Sequence, residues 1–297
     1  EDENGQPACF CIVQSETPVL VEDVTLSVYR RDYDGKYIEI ARIYLKIQLA
    51  WRADVVFNML FTVSRILFAY LLWRVIFADK EMIAGFTFHG ILSYYIINSF
   101  LTQLEMSSGI SGEISERIRN GTFTKYIVIP VSIEGYFTAM EVGIVAFYLF
   151  FDLIAAIVWI FLFGIEFVFV KEMGIILCAV IMVMLGMFFM VQLNYFLGLL
   201  TLRFEEIGTF LMIKNNLLAL VTGSIIPLVL LSEQVVELMK LLPFYYVTYL
   251  PSMLLTGRCK EEVAGGIVIM ICWCVVMQFV IKVTWNKYVR KYDGVGI

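Results

Sequence analysis

The sequence predicts an all-α polytopic membrane protein: six transmembrane helices, an N-terminal interfacial helix, and a short amphipathic helix in a cytoplasmic loop. Three observations carry this. Of 297 residues, 60% are hydrophobic and only 16% are charged, against about 25% charged in an ordinary soluble domain; the mean hydropathy is +0.82. Six apolar stretches approach or exceed the roughly 20 residues a helix needs to cross the hydrocarbon. The period-two alternation of a membrane barrel is absent, so helices must satisfy the backbone inside lipid.

The six stretches are residues 55–77, 84–101, 137–163, 173–202, 207–231 and 263–283. The third and fourth are long enough to tilt or to extend past the bilayer. An even number of crossings puts both termini on one side, and the basic residues choose that side. Fourteen Lys and Arg lie in the N-terminal flank, the second and fourth connections and the tail, against five on the other side (Lys80, Lys171, Lys240, Arg258 and Lys260). Both termini are therefore expected in the cytoplasm. Ahead of the first span, residues 37–51 read as an amphipathic helix. Glu39, Arg42 and Lys46 form one polar stripe, with Trp51 and Arg52 as interfacial anchors. A cytosolic extension of the first span is the other reading. Residues 1–36 read as a soluble appendage, or as a truncated or fused start, with no function assigned. No cleavable signal peptide is expected, because the first apolar run of any length begins near residue 55.

Several function classes drop out. A net charge of −5 offers no basic surface for nucleic acid. A single histidine, His89, argues against a metalloprotease or acyltransferase centre, and the six cysteines form neither a zinc pattern nor a disulfide framework. No G-x-x-x-x-G-K-[ST] loop occurs, so the chain does not bind ATP in that way.

The loop over residues 103–136 is the most informative segment. Ser107, Ser108 and Gly109 can open a helix, and Glu113 and Glu116 fall in its early turns, where the helix dipole favours acids. Ile110, Ile114 and Ile118 repeat every four residues, and Asn120-Gly121 stops the helix. The isoleucine stripe either packs the loop onto its own spans or serves as a docking knob for a cytosolic partner.

The run 114–132, ISERIRNGTFTKYIVIPVS, resembles the pattern of ABC-2 type exporter permeases, in which such a helix leads through a Gly into an apolar stretch with Pro and Ser. Two further segments agree. Ile226-Pro227, then Pro243-Phe244 and Pro251 with Gly257, resembles that family's external segment between spans five and six. The tail from Trp285 through Tyr288 and Tyr292 to Gly294 and Gly296 resembles its six-span branch. Together they cover residues 37 to 296, the ABC-2 type transmembrane domain being expected over 37–297.

The resemblance implies a permease subunit of an ATP-binding cassette exporter in the cell membrane. ATP and magnesium would sit on a separate cytosolic ATPase, and a second permease copy or a related permease would complete the path. Spans one, two and five would line it. Glu113, Ile114, Arg117, Ile118 and Arg119 would form the helix that couples to the ATPase. Pro227, Pro243, Phe244 and Pro251 are candidates for an outer gate, in a pair of short helices broken by Pro243 and Pro251; an interfacial cap packing the dimer is the alternative. Intramembrane polar groups also need a role. Arg65 and Asp152 are candidates for a buried pair. His89 is expected to bond a neighbouring helix, and Lys214 and Glu141 to snorkel. Asn215-Asn216 and Gln192 with Asn194 could glue helices or face a wet path. Rival readings are a secondary transporter, for which no internal repeat is evident, and a non-transporting subunit that recruits or senses a partner.

Overall fold

The computed structural model describes residues 35–50, 52–83, 85–104, 107–129, 131–222, 228 and 231–289. The described residues are almost entirely helical. A helix stands in each of the six predicted segments, with the amphipathic pieces between them. In chain order these are α1 (Lys36–Ala50), α2 (Arg52–Ile76), α3 (Phe88–Leu104), α4 (Ser108–Arg119), α5 (Thr124–Val128) and α6 (Ile133–Phe163). They continue as α7 (Met173–Leu199), α8 (Thr201–Phe204), α9 (Gly208–Val221), α10 (Glu233–Met239), α11 (Leu250–Leu255) and α12 (Val263–Tyr288).

Among the described residues, three helices are long and apolar enough to cross a membrane: Ile133–Val158, Met173–Phe204 and Lys260–Tyr288. Ile66–Ile76 and Gly208–Val221 are shorter apolar helices. The second predicted span departs from expectation. Its helix begins four residues late, because Ile83 and Phe86 pair in a tight antiparallel turn around Gly85, whose φ is +77°. Residues 90–99 of α3 are all buried, the polar Ser93, Asn98 and Ser99 among them, so this helix is covered on every side and sits inside the protein.

α7 is the hub. It packs against α12, α4, α6 and the segment around α11. One apolar cluster joins α2, α3, α7, α11 and α12 around Trp73, Tyr94, Phe189, Tyr245 and Tyr249. A second gathers α1, α4, α5, α6 and α7 around Ile40, Ile114, Phe123, Phe137 and Tyr195.

The predicted interfacial helix is α1. It buries Ile40 and Tyr44 against α6 and leaves Arg42 and Lys46 exposed. The Tyr44 and Tyr136 hydroxyls hydrogen-bond at 2.7 Å. α6 itself starts cleanly: the Ser132 side chain accepts from the Gly135 N–H, and Gly164 ends the helix in the left-handed region. The two helices touch backbone to backbone at Gly143, where an added Cβ would run into the Ala41 carbonyl. A carbonyl in a helix cannot rotate away. Gly143→Ala should therefore destabilise the protein by about 1–2 kcal/mol, overpacking outweighing the helix propensity that alanine gains. A melting temperature in detergent equal to that of the parent protein would mean α1 does not seat there.

The segment between α9 and α12 corrects one expectation. Pro243 precedes a helical run, but Pro251 does not break it. Residues Tyr245–Tyr249 form a π-turn that leads directly into α11, with Pro251 in its first turn. The wider i→i+5 register accommodates the residue that lacks an N–H. Residues 245–254 are all buried, against α7 in part.

Candidate functional site

α4 begins after Ser107 and ends at Asn120, with Gly121 at φ +71° returning the chain. The Thr122 N–H closes on the Arg117 carbonyl at 2.8 Å. Every fourth residue from Ile110 faces inward, and Ile110, Ile114 and Ile118 are each 0% exposed. Ile114 lies so close to α7 that a Cβ at Gly198 would meet its side chain at 2.8 Å. This corrects the assignment of Ile114 and Ile118 to a docking surface. They are the anchor that holds α4 to its own protein.

Glu113 and Arg117 are also partly committed. Arg117 donates from Nε and Nη2 to Glu113 Oε1 at 3.3 and 3.2 Å, and the Tyr126 hydroxyl donates to the same oxygen at 2.6 Å. The guanidinium lies 5.2 Å from the Tyr126 ring centroid. Burial pushes the Tyr126 phenol up, and the adjacent Glu113 carboxylate pushes it the same way. This cluster fastens α4 to α5.

What remains outward on α4 is Ser108, Gly109, Gly112, Glu116 and Arg119, the last two its exposed charges. Arg119 reaches Glu206, at 3.7 Å, in the α8–α9 connection, where Glu205 is also exposed, as is Arg203 in α8. Glu116 and Glu206 were not among the predicted contact residues. The helical period holds the signal for Glu116, two residues from both Ile114 and Ile118, on the face opposite the stripe. Nothing local signals Glu206, which arrives from another connection.

A second polar group lies beneath α4. Lys214 of α9 does not snorkel: it is 5% exposed and donates to Asn194 Oδ1 at 3.0 Å. Asn194 of α7 donates in turn to Ser107 Oγ at 2.8 Å and to the Met190 carbonyl at 3.0 Å. The Ser107 hydroxyl thus serves this chain and makes no side-chain cap for α4. Three buried side chains join α9, α7 and the start of α4. Glu141 is likewise buried, not snorkelled.

The other predicted positions are dispersed. His89 stands in the first turn of α3, and its Nδ1 accepts from the Glu166 N–H at 3.2 Å. It therefore ties α3 to the connection after α6 and not to a neighbouring helix. Arg65 falls in α2 and Asp152 in α6, but their side chains lie outside the described residues, as does Pro227. Pro243, Phe244 and Pro251 are buried; Phe244 meets Phe189 of α7 edge-on at 6.3 Å. Among the described residues no cluster of His, Cys, Asp or Glu could hold a metal ion.

Residues 63–296 match the sequence model of a family described as ABC-2 family transporter protein. No curated protein matches the chain. The match spans well over half of the chain, from within α2 to beyond α12, and takes in α4, the Lys214 chain and the π-turn. The chain belongs to the ABC-2 family of transporter proteins.

Proposed function

We propose that this chain is the permease subunit of an ATP-binding cassette exporter, moving its cargo outward with energy from a separate cytosolic ATPase that holds ATP and magnesium. Residues 37–297 form its transmembrane domain, with six crossings and both termini in the cytoplasm of a cell-membrane protein. The observation that carries this reading is the two-sided construction of α4. Its isoleucines are wholly buried against the second apolar cluster, while Glu116 and Arg119 project outward. A rigid charged knob fixed to the hub helix suits a contact that must transmit force and not merely recruit.

The Ser107–Asn194–Lys214 chain supplies a route onward. It joins the start of α4 to α9, the helix that the family resemblance places along the path. α9 also exposes Asn215 and Asn216 beside the exposed apolar side chains of Met212, Ile213 and Leu217. Amide groups are costly against lipid, so this face suits either a second permease copy or a water-filled path.

The test uses the cognate ATPase. Reversing both exposed charges, Glu116→Arg with Arg119→Glu, should reduce its co-purification at least tenfold and leave the permease's melting temperature unchanged. Undiminished co-purification would overturn the assignment of α4 as the coupling helix.

A further inference from the structure

At the end of the bundle that carries α4, a cavity of about 410 Å³ opens between α5, the start of α6, α7 and the last turns of α12. Two opposite charges line it. Glu134 comes from the first turn of α6, and Lys282 lies near the end of α12. Among the described residues no salt bridge joins them to each other or to another group. Gln278 stands one helical turn before Lys282. It donates from Nε2 to Glu134 Oε1 at 3.4 Å, and its own Oε1 accepts from Gln192 Nε2 at 2.7 Å. The glutamine is thus held in place, and one Glu134 oxygen is left for another donor. Trp285 and Tyr195 complete the wall. Ile127 of α5 also lines the cavity, and it and the next residue, Val128, expose apolar side chains.

We propose that this cavity holds the headgroup of a bilayer phospholipid of the phosphatidylethanolamine class. The occupant follows from the charges. A ligand with a cation and an anion a few bonds apart satisfies Glu134 and Lys282 together. A purely anionic headgroup would meet the Glu134 carboxylate. A primary ammonium can donate to Glu134, which a quaternary ammonium cannot do. Trp285 and Lys282 are the residue types that settle at the membrane–water boundary, and the apolar rim of α5 would receive the glycerol and the first methylenes of the acyl chains. The inference rests only on the chain being a membrane protein and is independent of the ATPase partner.

The purified full chain is placed in nanodiscs containing equal amounts of phosphatidylethanolamine, phosphatidylcholine and phosphatidylglycerol with identical acyl chains. Lipid retained after release is counted by native mass spectrometry. The expected result is one phosphatidylethanolamine per chain, at least tenfold enriched over the other two. Glu134→Gln and Lys282→Gln should each lose that enrichment while the melting temperature stays unchanged. Equal retention of the three lipids, or enrichment undiminished in both variants, would overturn the proposal. So would displacement of the lipid by equimolar soluble glycerophosphoethanolamine, which would make the natural ligand a soluble zwitterion.

Discussion

Ile114→Asp should leave no folded permease. The side chain is 0% exposed, and its neighbours include α7 at Gly198 and the second apolar cluster. The substitution removes a buried branched hydrocarbon, worth about 2–5 kcal/mol when truncated to alanine, and puts a carboxylate in its place. Protonating or hydrating that carboxylate adds several kcal/mol more, against a total stability of about 5–15 kcal/mol for a typical folded domain. Ile114→Val removes one methylene and should cost only about 1 kcal/mol. The two variants are compared by monodispersity on gel filtration and by melting in detergent. If Ile114→Asp gave a monodisperse protein with an unchanged melting temperature, the isoleucine face would be a free surface and the docking reading would return. The same arithmetic explains why the exposed pair Glu116 and Arg119, and not the isoleucines, is the proper probe of partner binding. Loss of a partner after Ile114→Asp would report unfolding.

What could be read in advance, and what could not, follows the range of each interaction. The approximate positions of the six apolar segments and the stop at Asn120-Gly121 depend on composition and on neighbours within a turn, and the sequence carries them; the start of α6 at Ser132 lies ahead of the expected 137. The direction of the isoleucine stripe does not have this property. Periodicity says that Ile110, Ile114 and Ile118 share a face, but only the approach of Gly198, some eighty residues downstream, says that the face is filled. Lys214 fails for the same reason. Read alone, a lysine near a helix end stretches to water; its acceptor is Asn194 on a different helix. Pro251 reads as a breaker because the usual register is assumed, and the π-turn over Tyr245–Tyr249 removes the conflict. α3 carries enough apolar residues to read as a span, yet hydropathy cannot tell lipid from protein as the surrounding medium.

Asn194→Leu should cost about 3 kcal/mol or more, far beyond its change in volume. The asparagine amide serves three partners in the interior: it accepts from Lys214 Nζ and donates to Ser107 Oγ and the Met190 carbonyl. Leucine fills similar space but offers none of these bonds, and the group that suffers most is the Lys214 ammonium. A hydrogen bond to a charged group is worth about 1.5–3 kcal/mol, and the loss is greater where water cannot replace it. Lys214→Met removes the charge itself and should be milder. The double variant tests whether the two act as a unit. With no ammonium left to solvate, Asn194→Leu should cost about 1–2 kcal/mol less in the Lys214→Met background than in the parent protein. The readout is reversible unfolding in mixed detergent micelles. Additivity of the two single changes to within about 0.5 kcal/mol would show no coupling between Lys214 and Asn194, and the route from α4 to α9 would lose its central link.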